Sequence, residues 1–192
     1  MGRAKGGTNR ASTDRPRGRR PRRTRPQITV PDLVRDLIER RLEELPLDRD
    51  ALKLGMGQFG DDFDLERFRE AFDARDPEQR NRARLVTANL QALADGIVEL
   101  VREAATVTGL RPAGRRPEAN PDIEAVRADG CLTGRQASEL IQLKKLANDI
   151  RHVYVTVTAD DVHAGVDRLL KLLPGFITAY RVWLGEYGVS LR

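Results

Sequence analysis

The sequence predicts an all-α protein, a helical bundle of about five to six helices behind a disordered, basic N-terminal tail. Three observations predict it. Leucine, alanine, arginine, glutamate and aspartate dominate the composition, and most of these lose little entropy in a helix. Apolar residues recur at spacings of three and four through most of the chain. Aromatics make up only 5% of the residues, and runs of β-branched residues are few. At 192 residues there is room for one domain and an appendage.

The appendage is residues 1–27, and the helical domain is 28–192. Ten Lys or Arg stand against Asp14 in residues 1–26, a charge of +9, so the remaining residues carry −4 of the chain's net +5. Gly, Pro, Thr and Arg prevail there without periodicity, too little apolar surface to offset the entropy of ordering. Such charge density suits nucleic-acid phosphates, and the absence of interleaved aromatics predicts sequence-blind binding. A solubilising extension with no ligand is the alternative. No apolar run is long enough for a bilayer, and no apolar segment follows the basic start as in a secretory signal. The single Cys131 fits a reducing compartment, so a cytoplasmic protein is expected. That cysteine reads as a small, half-buried turn residue, since no partner that could activate it lies nearby in the chain.

Pro31 and Asp32 open the first helix, with Leu33, Val34, Leu37, Ile38, Leu42 and Leu45 on one stripe, ending near Pro46. Asp48 to Asp62 reads as a linker or a poorly defined short helix. It contains Gly55-Met56-Gly57-Gln58-Phe59-Gly60, which matches a dinucleotide-binding fingerprint by letter. No strand precedes it, and Asp61, Asp62 and Asp64 follow where a pyrophosphate needs positive potential, so the match is rejected. Asp64 to Ala74 is a short helix with Leu65, Phe68 and Phe72 inward. Asp76-Pro77-Glu78-Gln79 opens the longest helix, with Val86, Leu90, Leu93, Ile97, Leu100, Val101 and Ala104 buried and Gly109 at its end. A Pro- and Arg-rich loop leads to a short helix from Asn120, with Ile123 and Val126 inward and Gly130 as a left-handed cap. Thr133 and Gln136 make a capping box, and Thr158 with Asp161 starts the last helix, which Pro174 should kink. Short connections make neighbouring helices antiparallel. Val153, Val155 and Val157 alternate as a strand would, but lack a partner and read as an extended turn.

The helix from Thr133 carries the chemistry. At about 100° per residue, Leu140, Leu143, Ala147, Ile150 and Tyr154 share one apolar sector. Lys144, Lys145, Asn148, Arg151 and His152 share a polar one, with Lys144, Asn148 and His152 stacked four apart. An imidazole can move protons near neutral pH, and cations beside it can hold a phosphate. On spacing alone, a solvated basic face with an incidental histidine remains the alternative.

Asn148-Asp149-Ile150-Arg151-His152-Val153-Tyr154 resembles the Arg-Asn-x-x-x-His-x-Tyr core of HEPN domains, in particular the HepT-like branch formerly described as DUF86. The helix around Val86-Thr87-Ala88-Asn89-Leu90, the turn Asp129-Gly130-Cys131-Leu132-Thr133 and the last helix with Tyr180-Arg181-Val182-Trp183-Leu184 follow in the family's order, so the resemblance spans about Leu33 to Val189. It implies a bundle that dimerises with two motif helices facing across a cleft, a metal-independent endoribonuclease without cofactor, and the role of toxin in a toxin–antitoxin pair. By the same resemblance, His152 is the catalytic acid/base for attack by the RNA 2′-hydroxyl and Asn148 orients the site. Tyr154 is the point of modification by a small nucleotidyltransferase antitoxin. The sequence departs from the family at Ala147, where the motif has arginine. Lys144, Lys145 and Arg151 are the candidate phosphate-binding replacements; Lys145 stands at the longest arginine-to-histidine spacing in the family, but as lysine. If none of them serves, the resemblance implies a catalytically silent HEPN domain that binds a nucleotidyltransferase or nucleic acid.

No other constellation competes. His163 beside Asp160 and Asp161 could suggest a metal, but caps and dipole partners at a helix start explain them more simply, and no metal is expected. Trp183 and Tyr180 read as core or dimer contacts.

Overall fold

The computed structural model describes residues 25–112, 114–116, 118–152 and 156–191. They form six helices: α1 (Asp32–Gly57), α2 (Leu65–Phe72), α3 (Pro77–Val107), α4 (Ala119–Ala128), α5 (Gly134–His152) and α6 (Ala159–Glu186). No strand occurs among the described residues. Val157 is buried after a single 3₁₀ residue, whereas Val153 and Val155 of the expected extended turn lie outside the described residues. Residues 1–24 of the expected tail lie outside them too.

The longest helix is the axis of the bundle, and its sequence explains why. Asp76 caps α3 by accepting from the Gln79 amide at 3.0 Å, with Pro77 in the first turn, where its missing N–H costs nothing. All seven expected stripe residues, from Val86 to Ala104, are buried. Ala94, Gly96 and Ala105 are buried beside them, so apolar surface faces several directions at once. That breadth lets α3 pack against every other helix, α1 most extensively.

The first helix corrects the sequence reading. Pro46 does not end it: α1 is 26 residues long, runs on to Gly57 and absorbs most of the supposed linker. A proline inside a helix removes one backbone hydrogen bond, but Leu45, Leu52 and Gly55 are buried on the α3 side, and that burial outweighs local propensity. The rest of the linker is a tight turn. Phe59, Phe63 and Phe68 cluster there edge to face and tilted, with Phe63 in the left-handed region (φ 52°). Gly55, first residue of the rejected fingerprint, sits against Val86 of α3, where an added Cβ would come within 3.2 Å. Its place is a helix contact, not a phosphate loop.

The expected capping box forms, and the start of α6 makes another. Thr133 accepts from the Gln136 amide at 3.2 Å while the Gln136 side chain accepts from the Thr133 amide at 2.9 Å. Thr158 and Asp161 do the same at the start of α6, which then runs through Pro174 to Glu186. Gly130 is in the left-handed region (φ 93°) and ends α4 as expected. The close approach of α6 depends on Gly165, where a Cβ would meet Leu146 of α5 at 2.5 Å and Leu90 of α3 at 3.1 Å. One small residue thus fixes how deeply the last helix settles onto the helix that carries the motif.

Two polar clusters tie the ends of helices together. Arg111, after α3, grips Asp122 of α4 with Nε to Oδ1 at 3.0 Å and Nη2 to Oδ2 at 2.5 Å. At the opposite side of α4, Asp129 accepts from Trp183 Nε1 at 2.9 Å and from the Tyr187 hydroxyl at 2.7 Å. Arg25, counted with the tail in the sequence, packs over the rings of Trp183 and Tyr187 and pairs with Glu186 at 2.6 Å and with Asp129 at 3.2 Å. Cys131 beside it is fully buried rather than half-buried, and burial pushes its thiol up to about 12.

Burial, then the hydrogen bond to Asp129 and that carboxylate's charge, push Tyr187 up to about 12. Burial above all, with the nearby Cys131 and Glu103 adding to it, sends Tyr180, whose hydroxyl donates to the Leu100 carbonyl at 2.8 Å, well above the ordinary phenol range. A tyrosine with a raised folded-state pKa contributes stability that is whole below pH ~10 and is lost as pH climbs towards the folded value. Absorbance titration at 295 nm should therefore show at most one of the three tyrosines ionising near pH 10 while the chain stays folded, with the others appearing together with unfolding at higher pH. Two or three phenols titrating reversibly near pH 10 would contradict it.

Candidate functional site

The polar face of α5 is built from its register. The capping box fixes the start at Gly134, and Ala137, Leu140, Leu143, Ala147 and Ile150 are buried against the bundle. With that stripe inward, Lys144, Lys145, Asn148, Arg151 and His152 turn outward, as their spacing predicts. Lys145, Arg151 and His152 are exposed, and Lys144 and Asn148 are half-buried. Tyr154, the expected modification point, lies outside the described residues.

Lys144 Nζ donates to Asn148 Oδ1 at 2.5 Å, so the amide is held and its nitrogen is left as a donor. Asp95 of α3 organises the flank. It lies 3.5 Å from Lys144 Nζ and also pairs with the Arg151 guanidinium. Two of the three cations named from the sequence therefore share one carboxylate, while Lys145 forms no ion pair among the described residues. Sequence reasoning missed Asp95. A signal existed: it is the lone acid between Glu78 and Glu99 on α3, in a stretch that is otherwise neutral or basic.

Ala147, where the resembled motif has arginine, is 1% exposed and belongs to the core. A guanidinium at that position would have to displace packed side chains, so the loss of the arginine goes with the packing of α5 against its neighbours.

A cleft of about 240 Å³ opens between α5 and α6 on the side away from Asp95, with Lys145, Asp149 and Arg168 among its lining residues. The His163 group, by contrast, holds structure together. His163 Nε2 lies 2.9 Å from the Phe63 carbonyl oxygen, and its ring stacks on that phenylalanine with centroids 4.7 Å apart. Asp160 is paired with Arg69, whose guanidinium holds its carboxyl below the usual range, and Asp161 closes the capping box. Among the described residues no three His, Cys, Asp or Glu side chains gather as a metal site. Trp183 and Tyr180 are buried core residues. No helix among the described residues is long and apolar enough to cross a membrane.

Set beside models of known protein families, curated proteins and solved structures, the chain matches none of them.

Proposed function

We propose that the chain is a metal-independent endoribonuclease of the HEPN type, working as a homodimer and serving as the toxin of a toxin–antitoxin pair. The observation that carries the reading is the solvent-reachable His152, one turn beyond an Asn148 whose oxygen is gripped by Lys144. The imidazole takes the proton of a ribose 2′-hydroxyl, and the 2′-oxygen forms a bond to the adjacent phosphorus. The bond from phosphorus to the 5′-oxygen breaks, and that oxygen leaves with a proton from imidazolium. The products are a 2′,3′-cyclic phosphate and a free 5′-hydroxyl, and no metal or oxidant enters the balance. A two-fold dimer supplies the second histidine, so one acts as base and the other as acid. The Asn148 amide nitrogen donates to a phosphate oxygen, and the antitoxin nucleotidyltransferase acts on Tyr154.

A second reading is a catalytically silent HEPN domain that binds a nucleotidyltransferase or nucleic acid. It is favoured by the core position of Ala147 and by the commitment of Lys144 and Arg151 to Asp95, which leaves fewer cations for the charge developing on phosphorus.

The deciding experiment incubates the full chain with labelled RNA in EDTA, beside the same oligonucleotide made with 2′-deoxyribose. The ribonuclease reading expects cleavage of the first with a cyclic-phosphate end and an intact second strand. Cutting of the deoxy strand would exclude the 2′-hydroxyl mechanism, and two intact strands would leave the binding reading.

A further inference from the structure

Seven residues make nearly two turns of a helix, so residues seven apart return to within about 20° of one another. On α5 this sorts the polar face into two rails. Lys144 and Arg151 form one, and both reach Asp95 on α3. Lys145 and His152 form the other, separated by about 10 Å along the axis. Lys145 lines the cleft against α6, so this second rail borders it.

The cleft is also lined by Arg168, from α6. Among the described residues neither Lys145 nor Arg168 has a carboxylate within ion-pair distance, which sets them apart from Lys144, Arg151 and Lys171. Two acids share the lining. Asp161 is turned to Thr158 by the capping box, while Asp149 forms no ion pair among the described residues and moderates the field. Gln142 and Thr156 add neutral polar walls, and among the described residues no aromatic lines the cleft. Two cations without an ion-pair partner among the described residues border one polar cleft, an arrangement that suits a string of phosphates.

We propose that the α5–α6 cleft is the subsite for the sugar–phosphate backbone of single-stranded RNA, with Lys145 and Arg168 each holding a phosphate beside the one that the 2′-oxygen attacks with His152 as proton acceptor. The Asp95 rail is structural: it fixes Lys144 and hence the Asn148 amide. This inference rests on the ribonuclease reading, and it moves the phosphate contacts from three candidates on one helix to a pair on two.

The test measures binding of a fluorescein-labelled 2′-O-methyl oligouridine, which cannot be cut, to the full chain across a range of salt concentrations. Each phosphate contact to a single strand contributes about 0.7 to the slope of log affinity against log salt. The double variant Lys145→Gln/Arg168→Gln should lower the slope by about 1.4. The matched control Arg127→Gln/Lys171→Gln removes two exposed cations that already have carboxylate partners, and should leave the slope unchanged. Residues 1–24 are present in every variant and cancel in the comparison. An unchanged slope in the cleft variant, or an equal fall in the control, overturns the subsite while leaving the parent's cleavage of ordinary RNA as evidence for the reading beneath it. A parent chain that neither binds nor cuts removes both.

Discussion

Asp122→Ala is expected to lower stability by about 3–5 kcal/mol, the largest loss of any single polar substitution in the bundle. Asp122 and Arg111 have side chains only 5% and 9% exposed. The guanidinium makes two parallel bonds to the carboxylate and two more, to Thr106 Oγ1 at 2.7 Å and the Arg102 carbonyl at 3.0 Å. Removing the carboxylate leaves a cation away from water with two donors unmet, and that penalty, more than the pair's own net contribution, sets the size of the effect. For a chain of this length the melting temperature should fall by roughly 6–20 °C, and the urea midpoint should fall with it. The double variant Arg111→Met/Asp122→Leu should recover much of the loss, because neither charge is then buried. A single variant within 1 kcal/mol of the parent would show that water reaches the guanidinium after all.

His152→Ala is expected to slow RNA cleavage by about 100- to 10,000-fold, the range general acid–base catalysis contributes. The side chain is exposed at the last residue of α5, so stability should change by no more than about 0.5 kcal/mol, and the two effects separate cleanly. Single-turnover rates in EDTA, with urea midpoints alongside, give both numbers. A variant that cuts at the parental rate relieves His152 of its role, and the acid/base must then be sought elsewhere. A parent without activity makes this comparison empty of chemistry and hands the polar face of α5 to a binding partner.

The elements that announced themselves in the sequence are those whose determinants are local. Asp76 with Gln79, Thr133 with Gln136, and Thr158 with Asp161 are hydrogen-bonded units contained within four residues, and each starts a helix where it was expected to. Ala147 fell on the apolar sector by angle alone and is in the core. What was not legible depends on residues far apart in the chain. Pro46 looked like an end because propensity is local, whereas the burial of Leu52 and Gly55 that carries α1 past it is decided by α3. Phe59 falls in the ill-defined linker and Phe63 in no predicted element, because nothing nearby predicts that they meet Phe68 and His163. For the site the same division holds. The polar face of α5 could be drawn on a helical wheel, but its split into a neutralised flank and an open one required Asp95, 49 residues before Lys144.

The anchoring of Arg25 is remote from the imidazole of His152. Its clamp, on Trp183, Tyr187 and Asp129, sits by the turn from which α5 departs, whereas His152 is the last residue of that helix. The two are separated by nearly the full run of 19 residues, about 27 Å of axial travel. Arg25 therefore stands at one pole of the bundle and the imidazole at the other, so nothing that touches one of these two side chains meets the second unless it spans the length of α5.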